Sequence, residues 1–346
     1  MATFGCLSPA TSGATEPAVP QAQPMVQAEP ASPTQSATFS PAAMQASYGL
    51  SPSPYAGAGQ TIAIVDAFDD PNIVSELTVF DTYWNLPACG ADCFTKVDQF
   101  GGSSYPPPAS GSWSVEIAMD VEWAHALAPD AHIILVEATD AGLVNLLAAE
   151  RYAGGHAGYV SNSWGFPEFA AETADTPIFT EPHVSYFAAV SDTTGKTQYP
   201  ATAPNVVAVG GSDLTSSGPA AWTGGGGCSA FEHESPSEAE LASAAGCSGN
   251  QSTPEVSADA VDIPVFDAST GWLNVGGTSF ATVVWAAAAA DSGRLVTNST
   301  IARGSIPLRS VEGGTPLQTG YGDLGAIQPS VREVVHMASA EVIDDL

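Results

Sequence analysis

Two acidic side chains and one serine carry the chemistry that this sequence offers. Glu116 and Asp120 stand four residues apart in SVEIAMDVEWAHALA (114–128), a pattern that predicts a helix. At that spacing two side chains share a face about 40° apart. Like charges so placed repel, so the pair is either solvated or holds a proton between its members. A proton held in this way can be moved, which is what a general acid or base does. A solvated acidic face is the plain alternative, and Glu122 shows that the segment carries another acid.

Ser279 lies in GGTSFAT (276–282), where small residues deliver it to the start of an apolar helix. A serine there sits in the positive field of a helix N-terminus, which suits a nucleophile and suits an ordinary N-cap equally. A nucleophilic serine needs a base. The six histidines, His125, His132, His156, His183, His233 and His336, have no suggestive neighbours. His125 falls about 180° from Glu116 on the helical wheel and cannot share its work. Asp192, in AAVSDTTG, follows a predicted strand. Aspartate is common in turns, but ligands of open α/β sheets bind at the carboxyl ends of strands.

The elements that must position these residues alternate in type. GQTIAIVDA (59–67), HIILVEA (132–138), YVSNSWG (159–165), VSYFAAV (184–190) and NVVAVGG (205–211) are apolar runs too short for helices and predict buried strands. Helical patterns cover 114–128, 141–154 and 280–293, the last apolar nearly all round and so expected to be buried. Alternating strands and helices predict an α/β fold, a doubly wound and mostly parallel sheet with helices on both faces. The Gly/Ser-rich stretches 101–112 and 213–229 read as loops near its carboxyl edge. Residues 1–40, rich in Ala, Pro, Ser, Thr and Gln, read as an N-terminal arm or linker, and 41–346 as a single domain.

Composition narrows the setting. Of 346 residues, 44% are hydrophobic and 13% charged, and 7 Lys plus Arg against 37 Asp plus Glu give a net charge of −30. Seven cations cannot build the basic surface of a nucleic-acid binder. A mean hydropathy of +0.08 is too apolar for a disordered chain. The longest apolar stretch, ATVVWAAAAA (281–290), is far below the roughly 20 residues that span a bilayer. At neutral pH the uncompensated carboxylates repel one another, whereas near pH 3 most are protonated, their reference pKa values being about 4. The balance therefore suits an acidic medium. Halophilic adaptation also raises Asp and Glu, but with more total charge. The five cysteines group as Cys89 with Cys93 and Cys228 with Cys247, leaving Cys6. Two local disulfides and an oxidising, extracellular setting follow, and zinc is the weaker use of Cys89-x3-Cys93.

Taken together, the ordered motifs resemble the sedolisins, serine-carboxyl peptidases with a subtilisin-like fold. The resemblance covers about 40–335, from FSPAAMQASYGL and GAGQTIAIVDAFDDPN to TGYGDLGA. The family's Glu-x3-Asp helix is matched by Glu116 and Asp120, its serine motif GTSxA by Thr278, Ser279 and Ala281, and its later aspartate by Asp192. VVAVGG and GCSAFE are also family-like. The resemblance implies that Ser279 attacks the scissile carbonyl, Glu116 serves as base, Asp120 orients Glu116, and protonated Asp192 donates to the oxyanion. The family's SNS(W/Y)G strand is matched by 161–165, which implies substrate contacts from Ser161, Ser163, Trp164 and Gly165. It implies a secreted, monomeric enzyme acting on polypeptides, with an N-terminal prodomain in a precursor.

Two departures bear on these expectations. Val283 stands where the family usually has proline, a difference of helix geometry rather than chemistry. The family binds calcium through an Asp-Ile/Val segment and a later Gly-x-Gly-x-Asp. SIPLRSVEGG (305–314) lacks the first aspartate, and TGYGDLG (319–325) is a shortened form of the second. Asp323 is the carboxylate left for a structural calcium, which prefers several oxygens; the chemistry itself requires no cofactor. Three rival readings stand beside the acid endopeptidase. One is a tripeptidyl-peptidase of the same family, and another is a peptide-binding pseudoenzyme. The third is a Ser–His–Asp enzyme using Asp66, for which the histidine is missing.

Overall fold

The computed structural model describes residues 20–30, 40–50, 56–247 and 249–326; Cys6 and His336 lie outside them. The five apolar runs become strands of one ten-stranded sheet. Its path runs through nine strands, Leu308–Arg309, Asp323–Leu324, Val256–Asp259, Val207–Thr215, Ser185–Ala189, Tyr159–Asn162, Thr61–Ala67, His132–Ala138 and Phe94–Asp98, and the tenth, Gly218–Ala221, pairs with Val207–Thr215 off that path. From Asp323–Leu324 to Phe94–Asp98 every neighbouring pair is parallel. Both faces of the central strands are covered, so their apolar residues need not alternate with polar ones. Along Thr61–Ala67, Ile62 and Ile64 enter one core layer and Ala63, Val65 and Ala67 the other.

The first layer holds the helices Pro41–Tyr48, Ile73–Trp84, Ser112–Leu127 and Thr278–Ser292, and the second holds Leu143–His156. We refer to Ser112–Leu127 as the carboxyl helix and to Thr278–Ser292 as the serine helix. All fifteen residues of the serine helix are buried. Its run Ala286–Ala290 carries the smallest side chains that keep helix propensity, so the helix lies close against the sheet. The two named helices are locked together by Trp123, whose ring meets Phe280 edge-on with centroids 5.0 Å apart. The Trp123 Nε1–H donates to the Pro264 carbonyl at 2.9 Å. Trp123→Ala should lower stability by about 3–5 kcal/mol, read as a reduced urea midpoint. A change below about 1 kcal/mol would show that this contact does not hold the helices.

Several predicted boundaries shift. YVSNSWG does not form one strand but breaks at Ser163 into Tyr159–Asn162 and Trp164–Pro167. The stretch 213–229 is not a loop throughout: Ser212–Thr215 folds back antiparallel on Gly218–Ala221, and Gly227–His233 pairs with Asn250–Thr253. Backbone pairing drives this, and it needs no apolar side chains to signal it. Residues 20–30, within the predicted arm, pair by Gln23–Pro24 against Trp164–Pro167 and by Gln27–Pro30 against Gly271–Gly276. Disulfides join Cys89 to Cys93 and Cys228 to Cys247, as their grouping predicts. Cys89, Cys93 and His125 lie close together, but sulfurs bonded to each other are not thiolate ligands for zinc. No helix among the described residues is long and apolar enough to cross a membrane.

Candidate active site

The carboxyl ends of the parallel strands, the N-terminal turns of the two named helices and the segment 20–30 converge on Ser279. Its hydroxyl donates to the Ser163 carbonyl at 3.3 Å, and it is close enough to Glu116 to draw that carboxyl's pKa down against burial. Glu116, Asp120 and Asp66 are all fully buried. The solvated acidic face that the spacing allowed is therefore absent; Glu122 is buried too, accepting from the Phe266 N–H at 3.1 Å. His125 points away, with Nε2 2.8 Å from the Pro87 carbonyl and 3.5 Å from Asp81 Oδ1.

None of the carboxyl oxygens of Glu116, Asp120 or Asp66 has a hydrogen-bond partner of ordinary geometry. A buried ionised carboxylate without donors is costly, so protons remain in this cluster. Burial, then the charges of Asp120 and Asp66, push Glu116 well above the usual carboxylate range. Burial, then Asp66, does the same to Asp120, with Ser163 and Glu116 opposing. Burial alone raises Asp66 to about 7. Such a cluster titrates as a unit, giving up its protons in separate steps over a wide pH range.

Asp192 approaches from the other side. Its Oδ1 accepts from the Thr278 N–H at 2.8 Å and from the Thr278 hydroxyl at 3.1 Å. With Oδ1 engaged by donors, the proton of the neutral acid belongs on Oδ2. Burial raises this carboxyl to about 6, while bonds from Thr278 and Gln27 pull it down. Gly277, at φ 143°, lets the chain turn into the serine helix. A Cβ there would stand 2.7 Å from Asp192 Oδ2 and 2.1 Å from the Met25 carbonyl oxygen, so only glycine fits.

Of the residues predicted to meet substrate, Ser163 and Gly165 face the segment 20–30. Ser163 accepts the Met25 N–H through its carbonyl at 3.1 Å, and Gly165 pairs with Gln23. Trp164 pairs with Pro24 through its backbone while its indole is buried against Phe166. Ser161 is buried in the central sheet, opposite Ile64 and Phe187. Asp323 lies outside this group, on the strand beside Val256–Asp259. Its Oδ1 accepts from Arg309 Nη2 at 2.6 Å and its Oδ2 from the Ser212 hydroxyl. A guanidinium and a hydroxyl proton aimed at both oxygens do not fit a hard dication that takes six to eight oxygen ligands.

Met25 and Gln27 are the site residues that sequence reasoning missed. They sit in an Ala/Pro/Gln-rich stretch whose composition signals a linker, and their contacts are largely backbone ones.

No family model matches the sequence, and no curated protein matches it. Among solved structures, the chain is similar to Pseudomonas sedolisin, a serine-carboxyl proteinase complexed with two molecules of pseudo-iodotyrostatin. The TM-score is 0.68 over 87% of this chain and 98% of that one, at 19% identity. The two chains share a fold. At this identity the likeness is one of architecture, a subtilisin-like α/β sandwich with a mostly parallel sheet, as the alternating pattern predicts.

Proposed function

We propose that the chain is a secreted, acid-active serine-carboxyl endopeptidase of the sedolisin kind. The observation that carries this reading is the meeting of the Ser279 hydroxyl with the buried, protonated carboxyl cluster of Glu116, Asp120 and Asp66. Ser279 Oγ adds to the peptide carbonyl carbon, and its proton passes to Glu116, which returns it to the leaving nitrogen. Asp120, joined to Glu116 by a shared proton, keeps the base oriented. The oxyanion forms between the Ser279 N–H and Asp192 Oδ2–H, a donor that exists only while Asp192 is neutral. Water then repeats the sequence on the acyl-enzyme. An imidazole would work at neutral pH; carboxyls in these roles require acid, which the net charge of −30 also favours. An endopeptidase is preferred to a tripeptidyl-peptidase because residues 22–25 are all held by backbone bonds upstream of Ser279, one residue more than a tripeptide.

The test is digestion of a denatured protein at pH 3–4 and at pH 7 by the wild type and by Ser279→Ala. Cleavage confined to acid and absent in the variant is expected; equal cleavage by the variant would overturn the reading. Asp192→Ala should lower kcat by about 10²–10³-fold with little change in KM, the usual effect of removing one oxyanion donor. Asp192→Asn, which keeps an N–H donor, should lose less. Equal losses in the two variants would mean that donation to the oxyanion is not what Asp192 supplies.

A further inference from the structure

His125 is a buried histidine that the chemistry at Ser279 does not use. It sits near the end of the carboxyl helix, and its two ring nitrogens face different groups. Nε2 lies 2.8 Å from the Pro87 carbonyl and 3.5 Å from Asp81 Oδ1. A carbonyl oxygen only accepts, so Nε2 carries a proton, and in the neutral ring the lone pair is on Nδ1. Nδ1 faces Cys93 Sγ at 3.5 Å. Cys93 is bonded to Cys89, and the ligand atoms of the three side chains lie within 4.8 Å of one another. No other trio of His, Cys, Asp or Glu side chains among the described residues gathers its ligand atoms so closely.

The spacing is that of a metal site. A zinc ion held at about 2.3 Å by sulfur and about 2.0–2.1 Å by imidazole nitrogen, at tetrahedral angles, sets those two atoms roughly 3.5–3.6 Å apart. The Cys93–His125 separation already has that value. The sulfurs need only part from a bonded distance of about 2 Å to about 3.8 Å, a shift that rotation about the two Cα–Cβ bonds supplies. Asp81 stands behind the ring, with Oδ1 toward Nε2 and Oδ2 accepting the Cys89 N–H at 3.4 Å. A carboxylate or carbonyl on the far nitrogen is the usual support of a metal-bound histidine. On the other side Cys93 borders an open cavity of about 340 Å³, lined also by the exposed Asp92 and Asp130. The cavity gives a cation a way in and a water the fourth place. Cys89 and Cys93 are both partly exposed, so a reductant reaches the bond between them.

We propose that this corner has a second, metal-bound state: once a dithiol has reduced the Cys89–Cys93 bond, the two thiolates and His125 Nδ1 bind one Zn²⁺, with a water from the cavity as fourth ligand. One thiolate of the dithiol attacks Cys93 Sγ, the bond to Cys89 breaks, and the second thiol of the reductant displaces the mixed disulfide. The dithiol leaves as a cyclic disulfide, and its two electrons and two protons end on Cys89 and Cys93 as thiols. Zn²⁺ then replaces one proton on each sulfur, so two protons are released and the His125 ring gives up none. The disulfide closes the loop between Ile73–Trp84 and Phe94–Asp98 on itself, whereas the metal ties that loop to the carboxyl helix as well. The metal-bound state belongs to neutral, reducing surroundings, because in acid protons compete for both sulfurs.

The full chain is reduced with dithiothreitol at about pH 6.5, where a free imidazole is half neutral. It is freed of the dithiol by gel filtration without air, given Zn²⁺ and desalted. Bound metal is counted by elemental analysis, and circular dichroism follows the fold. The reduced chain should retain one Zn²⁺ and the oxidised chain none. Co²⁺ in place of zinc should give the sulfur-to-cobalt charge-transfer band of thiolate ligation. Cys89→Ser with Cys93→Ser should lose both the metal and the band. His125→Gln and Asp81→Asn, which keep the disulfide, should each weaken Zn²⁺ by about tenfold or more after reduction, the scale for losing a ligand's support. A reduced wild type that holds no zinc, or a native spectrum lost on reduction and not regained with Zn²⁺, would overturn the proposal. So would undiminished affinity in His125→Gln or in Cys89→Ser with Cys93→Ser.

Discussion

Ser279→Ala is expected to lower kcat on denatured protein at pH 3–4 by about 10⁴–10⁶-fold, the range seen when a nucleophilic serine is removed. The change deletes one oxygen at the first turn of the serine helix and leaves a residue of higher helix propensity. Ser279 Oγ makes a single bond of ordinary geometry, at 3.3 Å to Ser163, so the fold loses little. Thermal unfolding should stay within a few degrees of the wild type. Glu116→Gln should produce a drop of the same order, because an amide of equal shape cannot accept the serine proton. The double variant should be no worse than either single one, since residues that act as a unit do not contribute additively. Activity within tenfold of wild type for Ser279→Ala would exclude an acyl-enzyme on this residue.

The second large effect is on stability against pH. Burial raises Asp66 to about 7, Glu150 to about 8 and Asp259 to about 8. In the unfolded chain these acids titrate near 4. Between about pH 4 and those values the folded state binds protons that the unfolded state has released, so stability falls as pH rises. The contribution is whole below about pH 4 and is lost as pH climbs through 7 to 8. Each group removes about 1.4 kcal/mol per pH unit in that interval, and the three together about 4. A domain holding about 5–15 kcal/mol exhausts that within roughly one to four pH units.

Two other carboxyls set the acid limit. Burial would raise Asp98, but the backbone N–H groups of Gly102, Phe100 and Ser104 hold it below the usual range. Burial would raise Asp267 too, and Ser269 and Thr270 outweigh it. Their stabilisation is present above about pH 4 and is lost below it. Urea midpoints measured from pH 2 to 8 should therefore peak near pH 4 and fall steeply toward neutrality. A level profile from pH 4 to 8 would mean that Asp66, Glu150 and Asp259 reach water in solution.

Much of this was legible in the residues because the responsible forces are local or periodic. Glu116 and Asp120 announce themselves by helical spacing, Ser279 by the small residues that admit a tight turn before an apolar helix. The parallel sheet follows from strands such as TIAIVDA, whose run Ile62–Val65 is apolar at every position because both faces are covered. Backbone pairing left no comparable mark. Gln23–Pro24 and Gln27–Pro30 bind through main-chain groups that every sequence possesses, so a polar, proline-rich stretch gave no sign of its place. The hairpin Ile263–Asp267 with Gly271–Gly276 carries a signal of its own, alternating apolar residues around DASTG. Glu150 and Asp259 were hidden for another reason: an acid is expected outside, and only the shortage of cations hinted that many here would be neutral and enclosed.

Arg309 has a consequence beyond the strand it anchors. Besides meeting Asp323 it donates to the Ser47 carbonyl at 3.2 Å and lies over the Tyr48 ring, 4.9 Å from its centre. It thereby ties the far margin of the sheet to the first helix of the domain. The counter-ion at this corner is covalently part of the polymer and cannot diffuse away. Dilution or dialysis, which carries off a diffusible counter-ion, leaves this pairing of Arg309 with Asp323 in place.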